Sequence, residues 1–190
     1  MVAALPKPIN LIEWLADPPD RTEWIDGNLV TKDDMTAKHG RTQSRLSYYW
    51  RGYVLSNQLG GEVYTETPCR TANRGRRPDV AYLTPALLSQ YGTDFETLPQ
   101  AFPLIAEIIS PTDYWESAIA KASEYLAAGC LEVWFLLPES HYIFVQTQDG
   151  ISGFTTGQLA RTQKVLAGFE IAVDELLGDG LPQGNGTPMS

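Results

Sequence analysis

Glu107 stands in the run Leu104-Ile-Ala-Glu-Ile-Ile109, where every close neighbour is apolar. A carboxylate in such a strand is unstable unless it is paired, protonated or bound to a cation. A strand built only for packing would carry valine or isoleucine at that position. The residue therefore points to a site, with an acid satisfied by an arginine or by backbone donors as the structural alternative. Asp79 is a second acid, placed after Pro78 at the entrance of the run Val80-Ala-Tyr-Leu83. Alone, a Pro-Asp pair reads as turn chemistry. If the two runs are neighbouring strands, the carboxylates converge on one point. That arrangement suits Mg²⁺, which takes oxygen ligands and keeps several of its waters. Lys121 is the third element. At about 100° per residue it falls on the edge of the apolar stripe of a helix expected over residues 113–128. Its stem can pack while the ammonium reaches the sheet or snorkels to solvent. Beside a metal-binding pair of acids, such a cation could orient water or stabilise charge developing on a phosphate.

The elements that must position these residues are legible in the hydrophobic pattern. Residues 10–16 read as a short helix ended by Pro18-Pro19, and residues 22–31 as a hairpin turning at Asp26-Gly27. A long helix is expected from about Thr36 to Gln58, with Leu46, Tyr49, Trp50, Tyr53 and Val54 at helical spacing. Strands follow at 62–68, 79–83 and 104–109, with a short helix after Pro85 between the last two. In the helix at 113–128, Asp113 is the expected N-cap and Glu116 its capping-box partner, and Gly129 is the stop. Leu131 to Leu137 is an apolar strand, followed by a hairpin around Asp149-Gly150 and a strand pair within Lys164–Val173. Strand, helix and strand across 104–137 imply a parallel crossover. The expected fold is α/β (α+β) with a mixed central sheet flanked by helices. It forms a single domain over residues 1–177, with a flexible Gly/Pro/Ser/Asn-rich tail at 178–190.

Composition narrows the function. The chain has 190 residues, 43% of them hydrophobic, which excludes a disordered protein. No apolar run is long enough to span a bilayer and no export signal is visible, so the expected location is the cytoplasm. Two cysteines, Cys69 and Cys130, read as ordinary thiols. With only His39 and His141, a multi-histidine zinc site is excluded. Walker, dinucleotide-binding and Gly-x-Ser-x-Gly motifs are missing from the sequence. The net charge of −9 opposes non-specific DNA affinity, which comes from Lys and Arg contacts to phosphate. Arg70, Arg74, Arg76 and Arg77 nevertheless cluster in one stretch, readable either as a solvated loop or as a local phosphate-contacting patch.

Taken in order, Glu23-Trp-Ile-Asp26-Gly27, His39, Arg77-Pro78-Asp79-Val80, Glu107-Ile-Ile-Ser110-Pro111, Lys121 with Tyr125, Gly129 and Glu132-Val-Trp134 resemble the Uma-two family of restriction-endonuclease-like proteins. The resemblance covers roughly residues 10–177. It implies the PD-(D/E)XK nuclease fold, in which an Asp and a Glu on adjacent strands act with a lysine and Mg²⁺ (or Mn²⁺) to cut phosphodiesters. Asp79 and Glu107 match the metal-binding acids. In the common pattern the lysine lies two residues after the Glu, where this chain has Ile109, and the resemblance moves that role to Lys121 on the following helix. Glu23 matches an acid before the Asp-Gly turn, an additional metal or water contact or else an exposed strand acid. Family members often carry an acid four residues before the helix lysine, where Ser117 stands here. The implied function is a metal-dependent endonuclease acting on nucleic acid, DNA first, with Arg76 and Arg77 on flanking phosphates and a homodimer as the working form. The rival is a nuclease fold that has become a nucleic-acid-binding or protein-binding module.

Overall fold

A computed structural model describes residues 9–32 and 35–180. Helix α1 (Leu11–Ala16) opens on a reciprocal capping box. The Asn10 side chain accepts the Glu13 N–H at 3.0 Å, and the Glu13 carboxylate accepts the Asn10 N–H at 2.9 Å. Strands β1 (Thr22–Ile25) and β2 (Asn28–Thr31) follow, joined by Asp26 and Gly27. Both turn residues have positive φ, 49° and 88°, as a two-residue type I′ hairpin requires. Helix α2 (Ala37–Ser56) starts at Thr36, whose hydroxyl accepts the His39 N–H, and it buries Leu46, Trp50 and Val54 along one stripe.

The chain continues through β3 (Glu62–Thr65), β4 (Cys69–Arg70), β5 (Gly75–Arg76), β6 (Val80–Leu83), α3 (Pro85–Tyr91) and β7 (Leu104–Ile108). It ends in α4 (Trp115–Ala127), β8 (Glu132–Leu137), β9 (Tyr142–Thr147), β10 (Gly150–Thr155), β11 (Leu159–Arg161), β12 (Glu170–Ala172) and α5 (Val173–Leu177). The main sheet has the order β10-β9-β8-β7-β6-β3. Only β7 and β8 run parallel in it, bridged by α4, so the sheet is mixed as expected.

Alternation along each strand divides the core in two. Val80, Tyr82, Leu104, Ala106, Trp134 and Leu136 face α2 and α5. Ala81, Leu83, Ile105, Val133 and Phe135 face α4 through Ala118, Ala122 and Tyr125. A second sheet, β2-β1-β5-β4, stands beside the main one, and β11 pairs with β12. No helix among the described residues is long and apolar enough to cross a membrane. Both cysteines are buried free thiols.

Four local expectations are corrected. The arginine stretch is not a loop: β4 and β5 form a short antiparallel pair there. Asp113 does not cap α4, whose N-cap is Tyr114 without a side-chain bond. Its carboxylate instead accepts the Ser110 N–H at 2.7 Å, closing the turn that leads to the helix. The hairpin of β9 and β10 turns on Gln148 and Asp149, because Gly150 already pairs with Thr147. The late strand pair is 159–161 with 170–172, since the N–H groups of Gln163, Lys164 and Val165 are taken by the Glu132 carboxylate and cannot join a ladder. Of the expected tail, residues 181–190 lie outside the described residues.

Candidate active site

The two acids converge because β6 and β7 are antiparallel neighbours. Val80 lies opposite Ala106, so the next positions outward, Asp79 and Glu107, face each other at the end of the sheet. Both side chains are buried. The Asp79 carboxylate is anchored across the strands by the Ile108 N–H at 2.7 Å. Burial opposes its charge, but His39 and Lys32 outweigh that and hold the carboxyl well below the usual aspartate range. Glu107 behaves differently. Burial pushes its carboxyl up, Lys121 counters only in part, and Asp79 and Glu23 add to the rise.

Lys121 comes from α4, one turn before Tyr125. The ammonium bridges Glu107 Oε1 and Glu23 Oε1, both at 2.9 Å, while the Tyr125 hydroxyl donates to Glu107 Oε1 at 2.8 Å. Burial disfavours the ammonium, but Glu107 and Glu23 lift its pKa well above the ordinary lysine value. It is a fixed positive charge and no general base.

Glu23, on β1, joins the two sheets. Besides Lys121 it accepts the Arg77 N–H at 3.1 Å and Arg76 Nη1 at 2.9 Å. Burial raises its carboxyl, yet Lys121 and Arg76 prevail and lower the pKa to about 2. Both oxygens of Glu23 are thus engaged by protein donors, so it positions Lys121 more directly than it could serve a metal.

Arg76 and Arg77 require a correction. Arg76 is buried and divides its guanidinium between Glu23 and Glu124. Arg77 is buried too, with its donors on the carbonyls of Thr22, Glu66, Pro18 and Pro19. Clustered arginines had suggested an exposed phosphate patch, but these two are spent inside the protein. Arg74, more accessible than these two, ties Asp26 to Glu124.

Sequence reasoning missed a third side of the site. Lys32, just after β2, places its ammonium 2.7 Å from Asp79 Oδ1 and 2.9 Å from Glu66 Oε2, and it donates to the Arg77 carbonyl. Gln43 on α2 donates to Glu66 and to the Asp79 carbonyl. His39, one turn before Gln43, brings Nε2 to 3.5 Å from Asp79 Oδ1. His39 had a signal in the family-like motif order. Lys32 and Glu66 had none: Lys32 follows the expected hairpin in a polar stretch, and Glu66 stands between two threonines in the strand expected at 62–68, where an acid breaks no apolar run. Glu23, Lys32, His39, Glu66, Asp79, Glu107 and Lys121 all line one cleft of about 910 Å³.

A mixed sheet thus sets an Asp and a Glu face to face, with a lysine reaching them from the flanking crossover helix. The family described as "Putative restriction endonuclease", Uma2, matches residues 10–174, and the chain belongs to that family. A solved structure described as "a putative nuclease belonging to DUF820" from Anabaena variabilis ATCC 29413 is similar, with a TM-score of 0.78 and 19% identity. The similarity covers 90% of this chain and 98% of that one, and at such identity it is a likeness of fold. No curated protein matches the chain. Family membership supports a hydrolase of the nuclease class.

Proposed function

We propose that the chain is a metal-dependent endonuclease that hydrolyses phosphodiester bonds of nucleic acid, with DNA as the substrate. The observation that carries this reading is the facing pair Asp79 and Glu107, with the Lys121 ammonium 2.9 Å from Glu107, at the wall of an open cleft. The donors fit a hard divalent cation: two buried carboxylates, Asp79 and Glu107, at the facing ends of neighbouring strands. Asp79 and Glu107 would hold Mg²⁺ or Mn²⁺. When bound, that ion supplies Lewis-acid polarisation of the phosphate and a more acidic water.

The chain's own residues do the rest. Ile108 N–H fixes the Asp79 carboxylate, and the Tyr125 hydroxyl with Lys121 fixes that of Glu107. Lys121 stays protonated, so it can hold a water by hydrogen bonding and stabilise negative charge developing on the phosphate. Glu23 keeps it in place, and Arg76 keeps Glu23 in place.

A cleavage assay on supercoiled plasmid and single-stranded DNA with Mg²⁺ or Mn²⁺ tests the reading. The wild type cuts, Glu107→Gln does not, and Lys121→Ala loses roughly 10²–10³-fold. A folded Glu107→Gln variant with full activity would remove the assignment. The same reading extends to a homodimer, since one site per chain cuts both strands of a duplex most simply under twofold symmetry. Sedimentation of the pure protein should then give twice the chain mass, and a monomer at assay concentration would refute the dimer.

A second reading, a binding module without turnover, is favoured by one observation. Asp79, Glu107, Glu23 and Glu66 each already have a cationic partner within the chain. DNA retention without cutting, under any divalent ion, would decide for it.

A further inference from the structure

Next to the Asp79–Glu107 pair lies a cluster of different chemistry. His39 from α2, Glu66 from the end of β3 and Asp79 from the start of β6 each offer one ligand atom, and these atoms lie within 4.8 Å of one another. His39 Nε2 is buried, and its 3.5 Å approach to Asp79 Oδ1 is too long for a good hydrogen bond. A buried polar atom left in that state calls for an explanation, and an ion is one. The cluster already holds a cation of its own. Lys32 Nζ lies 2.7 Å from Asp79 Oδ1, 2.9 and 3.0 Å from the two Glu66 oxygens and 3.0 Å from the Arg77 carbonyl. Four oxygens thus surround one ammonium, with an imidazole nitrogen at the rim. Glu107 contributes nothing to this group of ligand atoms.

We propose that His39, Glu66 and Asp79 form a site for a first-row transition ion, selected over Mg²⁺ by the imidazole, and that the Lys32 ammonium fills the site until the metal displaces it. Nitrogen donors suit the transition ions, whereas Mg²⁺ demands oxygen ligands at short, near-octahedral geometry. The ammonium and a metal compete for the same Asp79 and Glu66 oxygens, so the lysine sets the threshold for loading. The proposal deepens the nuclease reading, on which it rests for the shared Asp79, but it can be tested apart from cleavage.

The test is Mn²⁺ binding, followed by the electron paramagnetic resonance of free Mn²⁺ and by calorimetry. Placing every form in the Glu107→Gln background isolates this site from the facing pair. The expected results are retained Mn²⁺ binding in Glu107→Gln alone, and a loss of roughly tenfold or more on adding His39→Ala. Mg²⁺ affinity should change little in the same step. Adding Lys32→Met instead should tighten Mn²⁺ roughly tenfold by removing the competing charge. If Lys32→Met folds poorly in chelator, its melting temperature should recover more on Mn²⁺ addition than that of its parent. Unchanged Mn²⁺ affinity in His39→Ala overturns the proposal, as does Mn²⁺ binding or Mn²⁺-induced stabilisation in Lys32→Met no stronger than in its parent. Loss of all Mn²⁺ binding in Glu107→Gln also overturns it and leaves the nuclease reading standing. Binding through His39 with no cleavage by the wild type does the opposite.

Discussion

Glu107 and Glu132 are both acids on apolar strands, and their partners separate their roles. Glu132 is fully buried. It accepts Trp134 Nε1 at 2.7 Å, and its other oxygen takes the N–H groups of Gln163 and Lys164 at 2.8 and 2.7 Å, with Val165 further off at 3.3 Å. All its donors are neutral and it does not line the site cleft, so it clamps the 162–169 connection. Glu107 is held by an ammonium and a phenol and lines the cleft. Burial of an acid therefore does not mark a site by itself; charged partners and access do. Glu132→Gln turns an amide donor toward backbone donors or leaves them unpaired, and should lower stability by about 1–3 kcal/mol. Thermal unfolding reads that loss, and cleavage at a temperature where the variant is folded should match the wild type. If the folded variant is inactive, the distinction between the two acids fails. The same contrast explains what was legible among residues. Asp79, Glu107 and Lys121 broke an apolar pattern or an expected order. Arg76 and Arg77 were visible as a cluster, but sequence does not show whether a guanidinium meets solvent or Glu124.

At the scale of elements, the apolar periodicity of α2 and α4 and the unbroken runs of β7 and β8 placed the main sheet and its two helical layers. The small sheet was only half visible. Its β1–β2 hairpin announces itself through Asp26-Gly27, whereas β4 and β5 span two residues each and owe their pairing to tertiary packing. That packing centres on Gly75, which lies opposite Trp24 in β1 and directly under the Trp14 ring of α1. A Cβ at Gly75 would come within 2.2 Å of Trp14 Cζ3 and 2.3 Å of Cε3, and a ring locked by its Thr22 bond has little room to yield. Gly75→Ala should therefore destabilise the protein by about 1–3 kcal/mol. It should also weaken cleavage, because Arg76 is the next residue and its guanidinium holds Glu23 against Lys121. Denaturant unfolding followed by tryptophan emission tests the packing. An unchanged midpoint would show that α1 does not bear on β5 as described.

For the molecule as a whole, the junction of the two sheets is an ion network, and that fixes how the fold should respond to acid. Glu23 ties β1 to α4 and β5 through Lys121 and Arg76. Its folded pKa is lowered from 4.5 to about 2, against burial, by those two cations. A group depressed in the folded state stabilises above its unfolded pKa, and the contribution fades as pH falls toward the folded value. Asp79 has the same sign, since Lys32 and His39 hold its carboxyl down despite burial. Glu107 has the opposite sign. Burial raises its carboxyl, so the folded state binds that proton more readily than the unfolded chain, and its contribution improves as pH falls through the raised value. The two depressed acids dominate at lower pH, and the urea midpoint of the wild type should drop most steeply between about 4.5 and about 2. Glu23→Gln should start from a lower midpoint at neutral pH, because Lys121 and Arg76 lose a buried partner, and should then fall less across the same window. Parallel acid profiles for the two proteins would mean that the charge of Glu23 does not join the sheets.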